Sequence, residues 1–193
     1  MSVVAQQTHV SIEDYLAAER AAESKSEYVD GEMFAMSGAS IPHNVVASNL
    51  SAELNSQLKG RPCNSFTSDI KVWMPLTSTF AYPDASALCG PIETYDEQRD
   101  IITNPSFIAE ILSESTASYD RGNKFKAYAS LPSLQEYLLI SQDEIEVERR
   151  LRKGDNTWEL QTFSDPDDTI ALASISCELR LGDLYDKVEF EAG

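Results

Sequence analysis

Long apolar stretches and cysteine are both scarce in this sequence. No stretch approaches the roughly 20 consecutive apolar residues that cross a bilayer, and the amino terminus lacks the basic segment and apolar run of a secretion signal. We therefore expect a cytoplasmic protein with no membrane partner. The three cysteines, Cys63, Cys89 and Cys177, lack paired CxxC spacing. We expect neither a disulfide framework nor structural zinc, but reduced and mostly buried thiols.

Basic residues are also few. The chain has 15 Lys and Arg against 32 Asp and Glu, which gives a formal net charge of -17 at pH 7. Proteins bind phosphate backbones through Lys and Arg, so this balance disfavours binding to ordinary duplex DNA. A nucleic-acid substrate requires basic residues clustered on one face, metal ions that supply the local attraction, or a substrate other than ordinary duplex.

The length and composition predict one domain. With 193 residues and 42% hydrophobic content, the chain can bury one sizeable core but is too short for two independent ones. We expect a single domain over residues 1–193. It divides into an amino-terminal helix and hairpin at 11–37, a core at about 42–142 and a carboxy-terminal strand extension at 143–188.

Local signals predict the first elements. Ser11, followed by two acids, predicts the start of a short helix. Asp30-Gly31 between apolar pairs predicts a two-residue hairpin turn. After Pro42, apolar residues recur at four-residue spacing up to Gly60, which predicts a helix capped by that glycine.

Runs of β-forming residues predict the core strands. Residues 66–74 and 80–89 form an expected antiparallel pair. Phe107–Leu112, almost wholly apolar, predicts a central strand covered on both faces. A helix is expected from near Asp120 to about Ser130, followed by strands at 136–140, 145–151 and 158–163. The fold class is therefore α/β, with a core ordered helix, three strands, helix, strand. The hairpin and the carboxy-terminal strands extend its mixed central sheet.

Two carboxylates in apolar surroundings predict a metal site. Glu110 lies in the middle of the apolar strand, where an uncompensated carboxylate costs several kcal/mol. Asp84 lies in the preceding strand. If these two strands are neighbours, both carboxylates can converge on Mg²⁺, with the backbone carbonyl of Ile111 as a third ligand. The alternative is that Glu110 forms a buried salt bridge with Arg or Lys while Asp84 caps a turn. No His and Cys cluster indicates a transition-metal site, and no other cofactor is expected.

Six short stretches in this order carry a resemblance to a known family: Glu27-Tyr28-Val29-Asp30-Gly31-Glu32, Met36-Ser37-Gly38-Ala39-Ser40 with His43-Asn44, Tyr82-Pro83-Asp84, Ala109-Glu110-Ile111-Leu112-Ser113, Tyr119-Asp120-Arg121-Gly122-Asn123-Lys124 and Pro132-Ser133-Leu134-Gln135-Glu136-Tyr137. The chain resembles the Uma-type endonucleases of the PD-(D/E)xK restriction-endonuclease-like superfamily over residues 11 to about 188. The resemblance implies a restriction-endonuclease-like core with Asp84 on its second strand and Glu110 on its third. It also implies DNA as the substrate class.

The lysine of the superfamily motif is displaced. Its usual position, two residues after the second acid, holds Leu112. The resemblance places the lysine on the following helix, where Lys124 fits the pattern. Lys124 and Lys126 point about 200° apart around a helix, so only one can face the sheet. Lys124 shares a face with Tyr128 and Asp120, and we expect it to be the catalytic lysine, with Lys126 in solvent.

Other polar residues are weaker candidates. Glu32 matches an acid of the family and can reach the metal or orient one of its ligands. His43, at the start of the first core helix, can bind substrate or serve only as a helix-capping or structural residue. The hydroxyls of Ser113, Ser115 and Thr116 can contact a phosphate or cap the next turn.

The favoured hypothesis is a magnesium-dependent endonuclease. Asp84 and Glu110 bind Mg²⁺, with Mn²⁺ as an alternative ion; a water activated by the metal attacks phosphorus, and Lys124 assists. The expected substrate is DNA, and a homodimer would bring two sites to two strands. The alternative is a catalytically silent binding or assembly module with a nuclease fold, which the negative charge favours.

Overall fold

The computed structural model describes residues 9–190. Its helices are α1 (Ile12–Ala21), α2 (Ile41–Leu58), α3 (Ala117–Tyr119), α4 (Phe125–Ala129) and α5 (Leu181–Leu184), with a 3₁₀ turn at Pro75–Thr77 and a π-helical turn at Asp120–Lys124. Its strands are β1 (Ser26–Val29), β2 (Glu32–Ala35), β3 (Cys63–Thr67), β4 (Lys71–Met74), β5 (Thr79–Ala81), β6 (Ala85–Cys89), β7 (Ile101–Ile102), β8 (Phe107–Leu112), β9 (Glu136–Ser141), β10 (Val147–Gly154), β11 (Thr157–Phe163), β12 (Thr169–Leu172) and β13 (Cys177–Arg180). The ends of the expected domain, residues 1–8 and 191–193, lie outside the described residues.

Six strands form the central sheet, in the order β11-β10-β9-β8-β6-β3. Strand β8 is antiparallel to β6 and parallel to β9, to which the helical segment 117–129 connects it. Successive side chains of a strand point to opposite faces. Ala109 and Ile111 therefore pack with α2, whereas Ile108 and Leu112 pack with α4. Glu110 shares the face of Ile108 and Leu112.

Helix α2 forms where the four-residue spacing predicts it. Val46, Leu50, Leu54 and Leu58 are buried in one stripe against the sheet, and burial contributes roughly 1.5–3 kcal/mol for each side chain. The Ser40 hydroxyl caps the first turn by accepting from the backbone N–H of residue 43 at 3.2 Å. The helix ends before Gly60, whose φ of +78° is the left-handed conformation that glycine adopts without strain.

The expected antiparallel pair is divided between two sheets. Residues 66–74 and 80–89 do pair, but β4 pairs with β5 in one sheet while β3 pairs with β6 in the other. Pro83, which has no N–H to donate, lies in the break between β5 and β6. Asp84 follows it, so this acid lies just before β6 rather than within a strand.

The amino-terminal hairpin belongs to the second sheet, ordered β2-β1-β5-β4-β7, and does not lengthen the central one. Its predicted turn is confirmed, with β1 and β2 antiparallel around Asp30 and Gly31. Tyr28 of β1 packs with Phe80 of β5 and with Tyr15 of α1 in a separate apolar cluster. Strand β2 lies at the sheet edge and is exposed along its length.

The carboxy-terminal region adds strands in two places. Strands β10 and β11 extend the central sheet as predicted. Strands β12 and β13 instead form a separate two-stranded sheet that packs, together with α5, against α2. The α/β class and the expected order of core elements are confirmed. None of the helices between residues 9 and 190 is long and apolar enough to cross a membrane.

The expectation of reduced cysteines is wrong for two of the three. Cys63 and Cys89 form a disulfide between β3 and β6, where they are direct partners in the strand register. Their separation of 26 residues carries no pairing signal, because the contact arises only from the alignment of two sheet strands. Cys177 is free and buried, as expected.

Candidate active site

Asp84, Glu110 and Lys124 line one pocket of about 980 Å³. The pocket lies where β6 begins and β8 ends, between the start of α2 and the helical segment 117–129. Ala85 of β6 lies opposite Ala109 of β8 in an antiparallel pair. Asp84, the residue before Ala85, and Glu110, the residue after Ala109, therefore lie at the same end of the pair. The adjacency on which the metal hypothesis depends is therefore present.

Glu110 is buried in the floor of this pocket, with 3% of its surface exposed. Its Oε1 accepts from the Tyr128 hydroxyl at 2.9 Å and lies 3.0 Å from Lys124 Nζ. Burial raises the pKa of Glu110 well above its usual range, opposed by Lys124 and reinforced by Asp84. Burial also raises the pKa of Tyr128, so its hydroxyl keeps the proton that it donates.

Lys124 lies among carboxylates. Its Nζ is 3.0 Å from Glu27 Oε1, 3.0 Å from Glu110 Oε1 and 3.8 Å from Asp120 Oδ1. Burial acts to lower the pKa of Lys124, but these three carboxylates outweigh it and hold that pKa well above its usual range. The lysine therefore remains an ammonium. Lys126, two residues on, is exposed, as the helical angle between the two lysines requires.

Asp84 is held by the end of the neighbouring strand. Its Oδ2 accepts from the backbone N–H of Ile111 at 2.7 Å and lies 3.4 Å from His43 Nε2. The other ring nitrogen of His43 is buried and has no hydrogen-bond partner among the described residues. His43 is therefore positioned by the first turn of α2 and directed at the acid that the sequence identified.

These contacts include those of the alternative interpretation. Glu110 does form a buried salt bridge, and Asp84 does bind backbone at a strand end. The basic partner of Glu110, however, is Lys124, the residue that the sequence selects for catalysis. The two interpretations therefore describe the same set of residues and differ in whether the site acts on a substrate.

Glu27 is a residue of this site that the sequence analysis missed. It is 9% exposed and lines the pocket, and its Oε1 accepts from the backbone N–H of Tyr82 at 3.1 Å. The predicted acid, Glu32, is exposed on the edge strand β2 and does not line the pocket. Both acids belong to the hairpin. They differ in that Glu27 lies on β1, which is inside its sheet, whereas Glu32 lies on β2, which is at the edge.

Asp120 adds a further acid. It is 3% exposed, and burial raises its pKa, with Lys124 opposing that rise. Carboxylates thus outnumber the ammonium in this pocket, and buried like charges are costly unless cations or protons neutralise them. The site is therefore electrostatically suited to attract a cation.

The donor chemistry fits a hard divalent ion. Asp84 and Glu110 supply carboxylate oxygens at adjoining strand ends, and the main chain of Ile111, whose N–H already contacts Asp84, lies beside them. Mg²⁺ binds through one or two carboxylates and retains several waters, so it needs few protein ligands. Within residues 9–190, no group of three or more His, Cys, Asp and Glu side chains forms a preassembled metal cluster.

The hydroxyl residues after β8 lie at the edge of the pocket. Ser113 Oγ is 3.1 Å from Ser115 Oγ and 3.0 Å from Thr116 Oγ1. Thr116 Oγ1 also accepts from the backbone N–H of Ser113 at 3.4 Å. These hydroxyls line the pocket but contact one another within the turn that leads into α3.

Comparison with known proteins gives a family match and similar proteins. Residues 12–182 match the family model Uma2, described as "Putative restriction endonuclease". Two Synechocystis proteins described as uncharacterized are similar to this chain. One, slr1290, is 35% identical over 181 residues, which is 94% of each chain. The other, sll1609, is 38% identical over 158 residues, which is 82% of this chain and 89% of that one.

A solved structure shares the fold. A crystal structure described as that of a putative nuclease belonging to DUF820 from Anabaena variabilis superposes with a TM-score of 0.76. It covers 93% of this chain and 99% of the other, at 20% sequence identity. The expected restriction-endonuclease-like fold class is thereby supported by a nuclease-like neighbour, independently of the family match.

Proposed function

Because the chain belongs to the Uma2 family, described as putative restriction endonucleases, we propose that it is a metal-dependent endonuclease that hydrolyses phosphodiester bonds of DNA. The observation that carries this proposal is the meeting of Asp84, Glu110 and Lys124 in one pocket. The family and the fold are those of a nuclease. The metal, the substrate and the residue roles are the proposal.

Asp84 and Glu110 would hold the ion, with the backbone carbonyl of Ile111 as a third oxygen ligand. Mg²⁺ is the proposed ion and Mn²⁺ a substitute, since both accept carboxylate, carbonyl and water oxygens. When bound, such an ion polarises a phosphoryl oxygen and lowers the pKa of a water. His43, beside Asp84, would orient that carboxylate.

Lys124 would stabilise the negative charge that develops on the phosphate. Its ammonium is buried and kept protonated by the surrounding acids, so it presents a fixed positive charge in a region of low dielectric. Glu27, which is anchored by the backbone N–H of Tyr82, would orient the ammonium group. The amine is therefore a donor toward phosphate, not a base.

A catalytically silent binding or assembly module remains the second candidate. The net charge of -17 and the ion pairs that already engage Lys124 favour it. The two candidates differ in a simple respect. The endonuclease requires the acids to bind a divalent ion, whereas the silent module requires them only to keep the pocket folded.

Calorimetric titration with Mg²⁺ and Mn²⁺, together with plasmid nicking, tests the proposal. We expect the wild type to bind in the millimolar range or tighter and to nick, and Glu110→Gln to lose both. Glu114→Gln is the matched control, because Glu114 is exposed in the next turn and does not line the pocket. Equal weak binding by all three proteins, without nicking, would leave only the silent module.

A homodimer is part of the proposal, because two sites related by a two-fold axis would cut two strands. Light scattering after gel filtration measures the mass directly. A monomer that nicks one strand but does not make double-strand breaks would remove the dimer and leave the hydrolase.

A further inference from the structure

A second pocket, of about 850 Å³, lies on the other side of the helical segment that carries Lys124. We call it the basic groove. Its basic lining residues are Lys126 of α4 and Arg152 and Lys153 of β10, and Asp155 is the acid among its lining residues. A surface with this balance is unexpected in a chain of net charge -17.

The sequence around the basic groove departs from the overall charge. Residues 121–153 contain 7 of the 15 basic residues against 5 acids: the basic ones are Arg121, Lys124, Lys126, Arg149, Arg150, Arg152 and Lys153. Helix α4 and strand β10 bring part of this set together in space. Because the chain as a whole is strongly negative, binding to nucleic acid requires a local excess of positive charge of this kind.

Two of the three groove cations are not neutralised by acids. Among residues 9–190, neither Lys126 nor Arg152 forms an ion pair, whereas Lys153 pairs with Glu159 at 2.6 Å. Arg152 donates only to main-chain carbonyls, including those of Leu134 at 2.6 Å and Ala129 at 2.8 Å. Its guanidinium is therefore fixed in place, and its positive charge is not paired with a carboxylate among residues 9–190.

An aromatic wall supports these cations. The guanidinium of Arg152 stacks over the Trp158 ring at 4.4 Å, and Phe125 meets that ring edge-on at 5.2 Å. Both rings line the basic groove. Stacking on the Trp158 ring is a cation–π contact that helps to fix the orientation of the Arg152 guanidinium.

We propose that the basic groove binds the sugar-phosphate backbone of the DNA beside the bond that is cut. This inference rests on the proposed function, which supplies the substrate class. Lys124 lines the pocket of the candidate active site and Lys126 lines the basic groove, so one short helical segment separates the two pockets. Backbone contacts position a duplex without reading its sequence, and they would hold DNA against a repulsive surface.

Fluorescence anisotropy with a labelled duplex, in EDTA and in Ca²⁺, tests the proposal. For Lys126→Glu combined with Lys153→Glu we expect affinity to fall about tenfold or more and the salt dependence to become shallower, by about 0.9 for each phosphate that the protein no longer neutralises. Both side chains are exposed, so the variant should fold, which circular dichroism checks. The control is Lys59→Glu with a second exposed reversal, Lys187→Glu; both lie outside the two pockets.

Three outcomes would overturn the groove proposal: no DNA binding by the wild type, unchanged binding by the groove variant, or an equal loss in the control. Competition by polyglutamate as effective as that by DNA would also overturn it, in favour of an acidic protein partner. Nicking by the wild type, measured on the same DNA with Mg²⁺, separates this inference from the proposed function. If the wild type nicks DNA and the groove variant binds DNA as tightly as the wild type, only the hydrolase proposal is retained. If the groove variant loses DNA affinity but the wild type does not nick, only the groove proposal is retained.

Discussion

Lys124 Nζ lies 3.0 Å from Glu110 Oε1, and both side chains are almost completely removed from solvent. A buried pair of this kind contributes little net stability when compared with apolar residues, because both charges lose their hydration. Removing one partner is costly, however, since the other is left buried and unpaired. The pair is therefore better explained as a means of holding charged groups at this position than as a source of stability.

Replacement of Lys124 should affect both nicking and stability. Lys124→Met leaves Glu27 and Glu110 without their shared cation, so we expect destabilisation of about 3–5 kcal/mol and loss of at least about 10²-fold in nicking rate. Lys126→Met, on the exposed side of the same segment, should unfold at the same urea concentration as the wild type. Urea denaturation and initial nicking rates measure the two effects. Normal nicking by folded Lys124→Met would remove this lysine from catalysis.

The two hairpin acids should behave differently. Glu27→Gln removes the carboxylate that contacts Lys124, and we expect the nicking rate to fall about 10- to 100-fold, as for other residues that orient a site. Glu32→Gln should leave the rate unchanged, since that side chain is exposed on β2. Rates at saturating Mg²⁺ with matched folded fractions compare the two. A larger fall in nicking rate for Glu32→Gln than for Glu27→Gln would instead assign the role to Glu32, the acid predicted from the sequence.

Helices α1 and α2 and the central strand β8 could be predicted from sequence because each has a local signal. The spacing of Val46 to Leu58 gives α2, and an apolar run with one acid gives β8. The same local reasoning found Asp84 and Glu110, since a carboxylate among apolar neighbours needs compensation wherever it lies. Helical geometry placed Lys124 and Lys126 on different sides.

Features that depend on how strands assemble were not accessible in this way. Nothing local distinguishes Glu27 from Glu32, because only the pairing of β1 with β5 makes the first strand internal. The Cys63–Cys89 disulfide likewise follows from the β3–β6 register. The π-helical turn at Asp120–Lys124 was also missed; it adjusts the phase of the segment that presents Lys124.

Tyr128 should tune the metal site. Tyr128→Phe removes the hydroxyl that donates to Glu110, so we expect a loss of about 1.5–3 kcal/mol in stability and a roughly 10-fold weaker affinity for Mn²⁺. Tyr137→Phe is the matched control, because its buried hydroxyl on the same sheet face donates to the main-chain carbonyl of Asp120. The control should lose stability but retain Mn²⁺ affinity. Equal affinities for both variants and the wild type would separate Tyr128 from metal binding.

Acid unfolding should depend on an ion cluster formed by Arg20, Lys71 and Asp100, which do not line the pocket. Hydrogen bonds from Arg20, then from Lys71, lower the pKa of Asp100 from its usual 3.8 to about 2. An acid with a depressed folded-state pKa stabilises the fold fully above the unfolded-state value, and this contribution is lost as pH falls from about 5 toward 2.

Asp100→Asn measures this contribution. Because about a third of the side chain is exposed and solvent screens the pair, we expect about 1 kcal/mol at neutral pH. Urea denaturation of wild type and variant at pH 6, 4 and 2.5 should show the difference between them shrinking as pH falls. Lys71, only 4% exposed, loses its carboxylate partner in the variant but keeps its contact with the Tyr82 hydroxyl at 3.2 Å. A difference that stays constant from pH 6 to 2.5 would show that poorer packing, and not the Asp100 charge, accounts for the destabilisation.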